Sequence, residues 1–74
     1  MLISLLKKNI GKKVTLILVG QLEMVSTGIL RFDALCPGFY RLNTADGDLV
    51  GRFNAGHVDD YHTHEGQLRL WVIK

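Results

Sequence analysis

Apolar and polar residues alternate along most of the chain, and this alternation predicts β-strands. The clearest example is residues 13–19, where Val14, Leu16 and Leu18 share one face and most of the residues between them are also apolar. A strand that is apolar on both faces is expected to be buried on both sides. Six segments have strand character: residues 13–19, 23–32, 39–45, 48–53, 58–64 and 68–73.

The first residues of the chain have helical spacing instead. Leu2, Leu5 and Leu6 recur three and four residues apart, and Gly11 suits the end of a helix. We therefore predict a short helix over residues 3–9 that covers one mouth of a β-barrel. An amphipathic membrane anchor is the alternative, but the segment is too short to favour it. We expect no membrane partner, because no apolar run reaches the roughly 20 residues of a membrane span.

The connections between the predicted strands are short, which favours an antiparallel meander. Asp46 and Gly47 favour a two-residue turn of primed type, a strong signal for a β-hairpin. Gly28 lies inside a strand, where the lack of a side chain relieves crowding at a sharp bend. The predicted turns are Gly20 with Gln21, Asp46 with Gly47, and Glu65 with Gly66. The fold class is therefore mainly β: a small, strongly bent antiparallel barrel with a short N-terminal α-helix.

Composition suggests that this barrel does not act alone. Seventy-four residues form one domain, and a chain of this size buries only about 60% of its unfolded surface. Hydrophobic residues nevertheless make up 47% of the sequence. That is more apolar material than a single small barrel encloses, so we expect the chain to form a homo-oligomer. A monomer with apolar strands packed tightly on both faces is the alternative.

Charge and cysteine content give weaker indications. The net charge is only +2, but Lys7, Lys8, Lys12 and Lys13 lie close together and form a basic region that suits phosphate. The single Cys36 excludes a framework of internal disulfides and fits the reducing cytoplasm. We therefore expect a cytoplasmic protein.

The segment from Thr27 to Asp33 contains a glycine, apolar residues and a Phe-Asp pair. It resembles the first motif of the Sm/LSm family, the ring-forming RNA-binding proteins that include the bacterial chaperone Hfq. The resemblance extends over roughly residues 2–60, with the helix leading into the first strand. It implies an Sm-like barrel in a homo-oligomeric ring of six or seven subunits. In such a ring the fourth strand of one subunit pairs with the fifth strand of the next, and single-stranded RNA binds at the central pore.

The resemblance also implies which residues contact RNA. The loops after the second and fourth strands would line the pore, which makes Asp33, Arg52, Asn54 and Gly56 the predicted nucleic-acid-binding residues. Asp33 would organise its loop, because a short carboxylate accepts hydrogen bonds from nearby backbone amides. Two departures weaken the match. Residues 34–38 lack the asparagine common in the family, and three residues separate Arg52 from Gly56 where the family has an adjacent Arg-Gly or Lys-His pair.

Two aromatic residues and three histidines leave further possibilities open. Phe39 and Tyr40 are possible platforms for base stacking, although packing is the better explanation for both, because half-buried strands favour aromatic residues. His57, His62 and His64 are possible metal ligands, but their spacing matches no strong zinc pattern, and we expect no bound metal.

No arrangement of nucleophile, base and orienting group is visible in the sequence, and no phosphate-binding glycine loop is present. We therefore expect neither catalysis nor a cofactor. A barrel that acts as a scaffold or as a protein-interaction module is the main alternative to RNA binding.

Overall fold

The computed structural model describes residues 2–20 and 22–73. The described residues form one short helix and six strands, close to the predicted boundaries. The predicted turn at Gly20 includes Gln21, which lies outside the described residues. The third strand ends two residues earlier than expected, and the fourth starts and ends one residue later. The elements are α1 (Leu2–Lys8), β1 (Lys13–Val19), β2 (Met24–Phe32), β3 (Phe39–Asn43), β4 (Leu49–Asn54), a 3₁₀ turn (Ala55–His57), β5 (Val58–His64) and β6 (Gln67–Ile73).

All six strands belong to one sheet in the order β4-β3-β2-β1-β6-β5. The prediction of an entirely antiparallel sheet is wrong, because β1 and β6 are parallel neighbours. The distribution of apolar residues explains this arrangement. Leu68, Leu70 and Val72 give β6 a buried face, whereas β5 is almost entirely exposed. The strand with an apolar face therefore takes the internal position beside β1, and β5 is left at the edge.

The sheet is rolled, as its connections require. Six strands about 4.8 Å apart would place the two edges of a flat sheet about 24 Å from each other. The edge strands β4 and β5 are joined by only the three-residue 3₁₀ turn, which spans much less than that distance. The sheet must therefore curl until one end of β4 lies near one end of β5. It does not close into a barrel, because β4 and β5 occupy opposite ends of the strand order.

The concave side of the rolled sheet contains the core. Leu16, Leu30, Leu42 and Leu70 are fully or almost fully buried there, and α1 contributes Leu6, which has no exposed surface. The remaining side chains of this cluster are Val14, Tyr40, Phe53, Ala55, Leu68 and Val72. No helix in residues 2–20 or 22–73 is long and apolar enough to cross a membrane.

Gly28 has the role that the sequence predicts. An added Cβ there would lie 3.0 Å from both the Asn43 carbonyl oxygen and the Leu42 Cβ. Real Cβ atoms rarely approach other heavy atoms so closely, so β3 would have to move away from β2. Glycine at this position allows β2 and β3 to pack tightly where the sheet bends.

Of the hairpin turns at Asp46–Gly47 and Glu65–Gly66, the first differs from the prediction. The primed two-residue turn occurs at Glu65 and Gly66, which both have positive φ (52° and 79°). At Asp46 and Gly47 only the glycine has positive φ, and the Gly47 amide donates to the Thr44 carbonyl oxygen. The predicted primed turn there is wrong: a five-residue connection leads from β3 to β4, because the turn begins at Thr44 rather than at Ala45.

Candidate nucleic-acid interface

An ion pair between Asp33 and Arg52 lies at one end of β2, β3 and β4. Arg52 Nε donates to Asp33 Oδ2 at 2.7 Å, and Arg52 Nη2 lies 2.6 Å from the same oxygen. The Asp33 side chain is only 3% exposed, whereas 41% of the Arg52 side chain remains accessible. The carboxylate is therefore an internal anchor, and the guanidinium is the part of the pair that an external ligand can reach.

The same carboxylate organises the loop between β2 and β3. Asp33 Oδ1 accepts a hydrogen bond from the Leu35 amide at 3.1 Å, which is the kind of contact that the sequence predicts. The Ala55 amide donates to the Gly38 carbonyl oxygen at 3.0 Å. This second contact joins the loop to the 3₁₀ turn. The two segments that the sequence places in the candidate site are therefore adjacent.

Burial, hydrogen bonds and nearby charges together determine the protonation of this pair. Burial by itself would raise the pKa of Asp33, but the Leu35 amide and the Arg52 guanidinium outweigh it and lower the pKa below its ordinary value. The Cys36 sulfur, which accepts a hydrogen bond from Arg52 Nη2 at 3.2 Å, and the Asp33 carboxylate both raise the pKa of Arg52. Asp33 is consequently ionised and Arg52 cationic at neutral pH.

Asn54 and Gly56 are close to this ion pair but serve the 3₁₀ turn. Asn54 Oδ1 accepts a hydrogen bond from the Gly56 amide at 2.8 Å and so caps the turn. Asn54 is opposite Phe39 in the β3–β4 register. The structure therefore brings all four predicted site residues to one end of the sheet, with Asn54 half-buried and Gly56 exposed.

The two aromatic candidates have different surroundings. Tyr40 is 4% exposed and stacks against Phe53 in the core, so it is unavailable to a base and the packing explanation is correct. Phe39 lies on the convex face, where the Arg52 guanidinium carbon is 5.6 Å from its ring centre. Of the two residues, Phe39 is therefore the one positioned beside an accessible cation.

Sequence reasoning missed two further arginines on the same face. Arg31 is opposite Arg41 in the β2–β3 register, and Arg41 is opposite Arg52 in the β3–β4 register. Each arginine occupies an outward position in its strand pattern, and this is the signal that the sequence contains. Their alignment depends on the strand register, which composition and spacing leave open.

The three histidines do not form a metal site. His62 Nε2 is 3.2 Å from Asp60 Oδ2, and its ring meets Trp71 edge to face. His64 is 4.0 Å from Glu65, and both side chains are largely exposed. Within the described part of the chain, no group of three or more potential ligands is close enough to hold a metal ion. The histidine cluster proposed as a metal-binding alternative is therefore not assembled.

A cleft of about 310 Å³ lies beside the candidate site, where the 3₁₀ turn leads into β5. Gly56 is the residue that this cleft shares with the predicted site. Its lining residues are Gly56, His57, Val58, Asp59 and Ile73.

No protein-family model, curated protein or solved structure matches this chain.

Proposed function

We propose that this chain is an Sm-like subunit that assembles with copies of itself into a ring and binds single-stranded RNA there without catalysis. The observation that carries the proposal is the identity of the two free edges. They are β4 and β5, the two strands that would pair between neighbouring subunits of an Sm ring.

Each edge strand has at least one exposed large side chain that favours pairing. An unpaired edge strand presents free backbone N–H and C=O groups and is normally short, shielded or strongly charged. Leu49 on β4 is 52% exposed and Tyr61 on β5 is 42% exposed, although both are large apolar or aromatic residues. Pairing of β4 with β5 of another copy would satisfy both backbones and bury these side chains.

Two β-bulges limit which residues take part. The β3–β4 register shifts so that Val50 is the extra residue on β4, and the β5–β6 register shifts at Asp59. The regular parts of the edges are therefore residues 51–54 and 60–64. Arg52 lies in the first segment and Asp60 in the second, so the two edges carry side chains of opposite charge.

The roll of the sheet allows such contacts to close into a ring. A contact between two different edges is head-to-tail, and it forms a ring if the rotation between neighbours closes and a filament if it does not. Because β4 and β5 leave the 3₁₀ turn in succession, each subunit presents its two edges on either side of one corner. We propose a ring of six or seven subunits.

RNA binding would use the corner between the edges. Arg52 supplies an accessible cation beside Phe39, and Asn54 supplies an amide for base edges. A ring would repeat this set once per subunit, so weak contacts would add along one RNA strand. An incoming phosphate would share the Arg52 guanidinium with Asp33 rather than replace it.

The experiment compares two substitutions of exposed side chains. Tyr61→Lys adds a charge to the β5 edge, whereas Leu22→Lys adds the same charge between β1 and β2, to a residue that is 83% exposed. Solution mass by light scattering and anisotropy of labelled uridine- and adenine-rich oligomers are measured on the same samples. Tyr61→Lys is expected to reduce the mass to the 8.3 kDa of one chain and to weaken RNA binding at least tenfold.

Leu22→Lys is expected to leave both mass and affinity unchanged, because Leu22 lies outside the two loops proposed to line the pore. Equal effects of the two substitutions would contradict edge pairing. If the protein forms a ring that binds neither RNA oligomer at low salt, RNA binding would be contradicted and a scaffold role favoured.

A further inference from the structure

Three arginines form a row across β2, β3 and β4. The backbone register places Arg31 opposite Arg41, and Arg41 opposite Arg52. Leu30 and Leu42, which are adjacent in sequence to the first two, point into the core and are fully buried. Because side chains alternate along a strand, the arginines belong to the convex face. We call this row the arginine ladder.

The positive charge of the arginine ladder is only partly compensated. Asp33 pairs with Arg52. The positive charge of Arg41 also lies near Asp33 and helps to lower the pKa of its carboxyl group. Within residues 2–20 and 22–73, Arg31 and Arg41 make no ion pair within 4.0 Å. Like charges directly opposite each other destabilise a sheet. Three guanidinium groups against one carboxylate therefore favour an external anion.

The arginine ladder also extends beyond its three members. Lys13 on β1 is opposite Ile29 on β2 and lies one row away on the same convex face. Arg41 is half-buried, and its Nε is inaccessible to solvent and without a hydrogen-bond partner. Arg31 is exposed, and its Nη1 lies 3.4 Å from the position of a Cβ added to Gly11. The cations therefore follow a line across the strands, which suits a ligand with regularly spaced negative charges.

We infer that the arginine ladder binds the phosphate backbone of a single-stranded nucleic acid, DNA or RNA, without reading its bases. Arginine pairs with phosphate through two parallel hydrogen bonds. Phe39 is on the same face beside Arg52 and offers a surface for base stacking, and cationic side chains beside an aromatic platform are typical of single-strand binding. The inference goes beyond the proposed pore, because Arg31 and Arg41 lie outside the four pore residues and no ring is required.

Matched charge removals test this inference. Arg31→Gln and Arg41→Gln each remove one member of the ladder, whereas Arg69→Gln removes an exposed arginine from β6, opposite His62. Affinity for a labelled oligothymidine and a labelled oligouridine is measured by anisotropy from low to moderate salt. Thermal melting establishes that each variant is folded. Arg31 is the primary position because it is exposed and its loss leaves no cavity.

The ladder substitutions are expected to lower affinity for both oligomers about five- to tenfold at low salt. Each should also reduce the slope of log affinity against log salt by about 0.7, the value for one phosphate contact on a single strand. Arg69→Gln should change neither slope nor affinity by more than about twofold.

Equal losses for Arg31→Gln and Arg69→Gln would overturn the ladder, since only net charge would then matter. Failure of the wild-type chain to bind either oligomer at low salt would overturn it too. A different result would contradict the ring proposal: a solution mass of the wild-type protein equal to that of one chain. To separate the two, the Arg31→Gln comparison is repeated in the Tyr61→Lys background, where the change in slope is expected to persist.

Discussion

The two edge strands of this sheet contrast sharply in how they are held. β4 is fixed by side-chain contacts to distant parts of the chain: Arg52 binds Asp33, which is nineteen residues away, and Phe53 is buried in the core. β5 has mainly local contacts, such as Asp60 with His62, and all its residues after Val58 are exposed. One edge strand, β4, therefore contributes a side chain to the core, whereas the other, β5, is held mainly by its pairing with β6.

This contrast shows what each part of the sheet contributes. Residues on β1, β2, β3, β4 and β6 stabilise the fold through the shared core, whereas β5 adds little burial of its own. A strand with few buried residues is free to satisfy a different requirement, such as contact with a second copy. We therefore expect stability to depend on the core strands and assembly to depend on β5.

The largest expected difference in the free energy of unfolding is between substitutions at two paired positions on β6 and β5. Leu70 has no exposed surface, and its partner in the register is Tyr61. Leu70→Ala should lower the free energy of unfolding by about 2–5 kcal/mol, because it removes buried methyl groups and leaves a cavity. Tyr61→Ala should change the monomer by about 0.5 kcal/mol or less. Urea denaturation measures both values, at a concentration where the protein is monomeric. Similar losses would show that β5 contributes to the core after all.

The next effect tests the close packing of β2 on β3. Gly28→Ala should destabilise the chain by about 1–3 kcal/mol, because the new methyl group would meet Leu42 and the Asn43 carbonyl oxygen. Gly20→Ala is the control, since no other heavy atom lies within 4 Å of a Cβ added there. Thermal melting of the two variants should separate them clearly. A Gly28→Ala protein as stable as Gly20→Ala would mean that the sheet accommodates the extra group without strain.

The ion pair on the β4 side gives a pH-dependent prediction. The pKa of Asp33 is lower in the folded chain than its ordinary value, so the pair contributes fully above about pH 4, the usual pKa of an unfolded aspartate. Its contribution is lost as the pH falls through the folded value. The melting temperature of the wild-type chain should therefore decline more steeply below about pH 4 than that of Asp33→Asn. Parallel declines would contradict this account of the pair.

The smallest effect concerns the turn that leads from β5 to β6. Glu65 adopts a positive φ of 52°, which asparagine tolerates better than glutamate. Glu65→Asn should therefore stabilise the chain by about 0.5 kcal/mol. Asp46→Asn removes the same charge before Gly47, but Asp46 lacks a positive φ, so no gain is expected. A gain of equal size in both variants would point to charge rather than backbone conformation.

The sequence predicts the elements of this fold better than their partners. Alternation of apolar residues locates all six strands, and the crowding at Gly28 follows from its place in a bent strand. The parallel pairing of β1 with β6 was not predicted, because short connections suggest a meander. The strand order depends instead on the difference between β6, which has an apolar face, and β5, which is mostly polar. The position beside β1 can hold only one of these strands, and the sequence pattern does not show which one it is.

Some contacts of the candidate site can also be predicted from the sequence, whereas others depend on how the strands pair. The hydrogen bond from the Leu35 amide to Asp33 follows from local sequence, because a short carboxylate reaches an amide two residues away. The ion pair with Arg52 and the alignment of Arg31 with Arg41 depend on the register between strands. A shift of one residue in that register would move the arginines out of line.

The central claim, that β4 and β5 satisfy each other between copies, is tested most directly by the mass of the wild-type chain in solution. Light scattering at several protein concentrations is expected to give one species of six or seven times 8.3 kDa. A stable particle of 8.3 kDa across the same concentrations would contradict the claim.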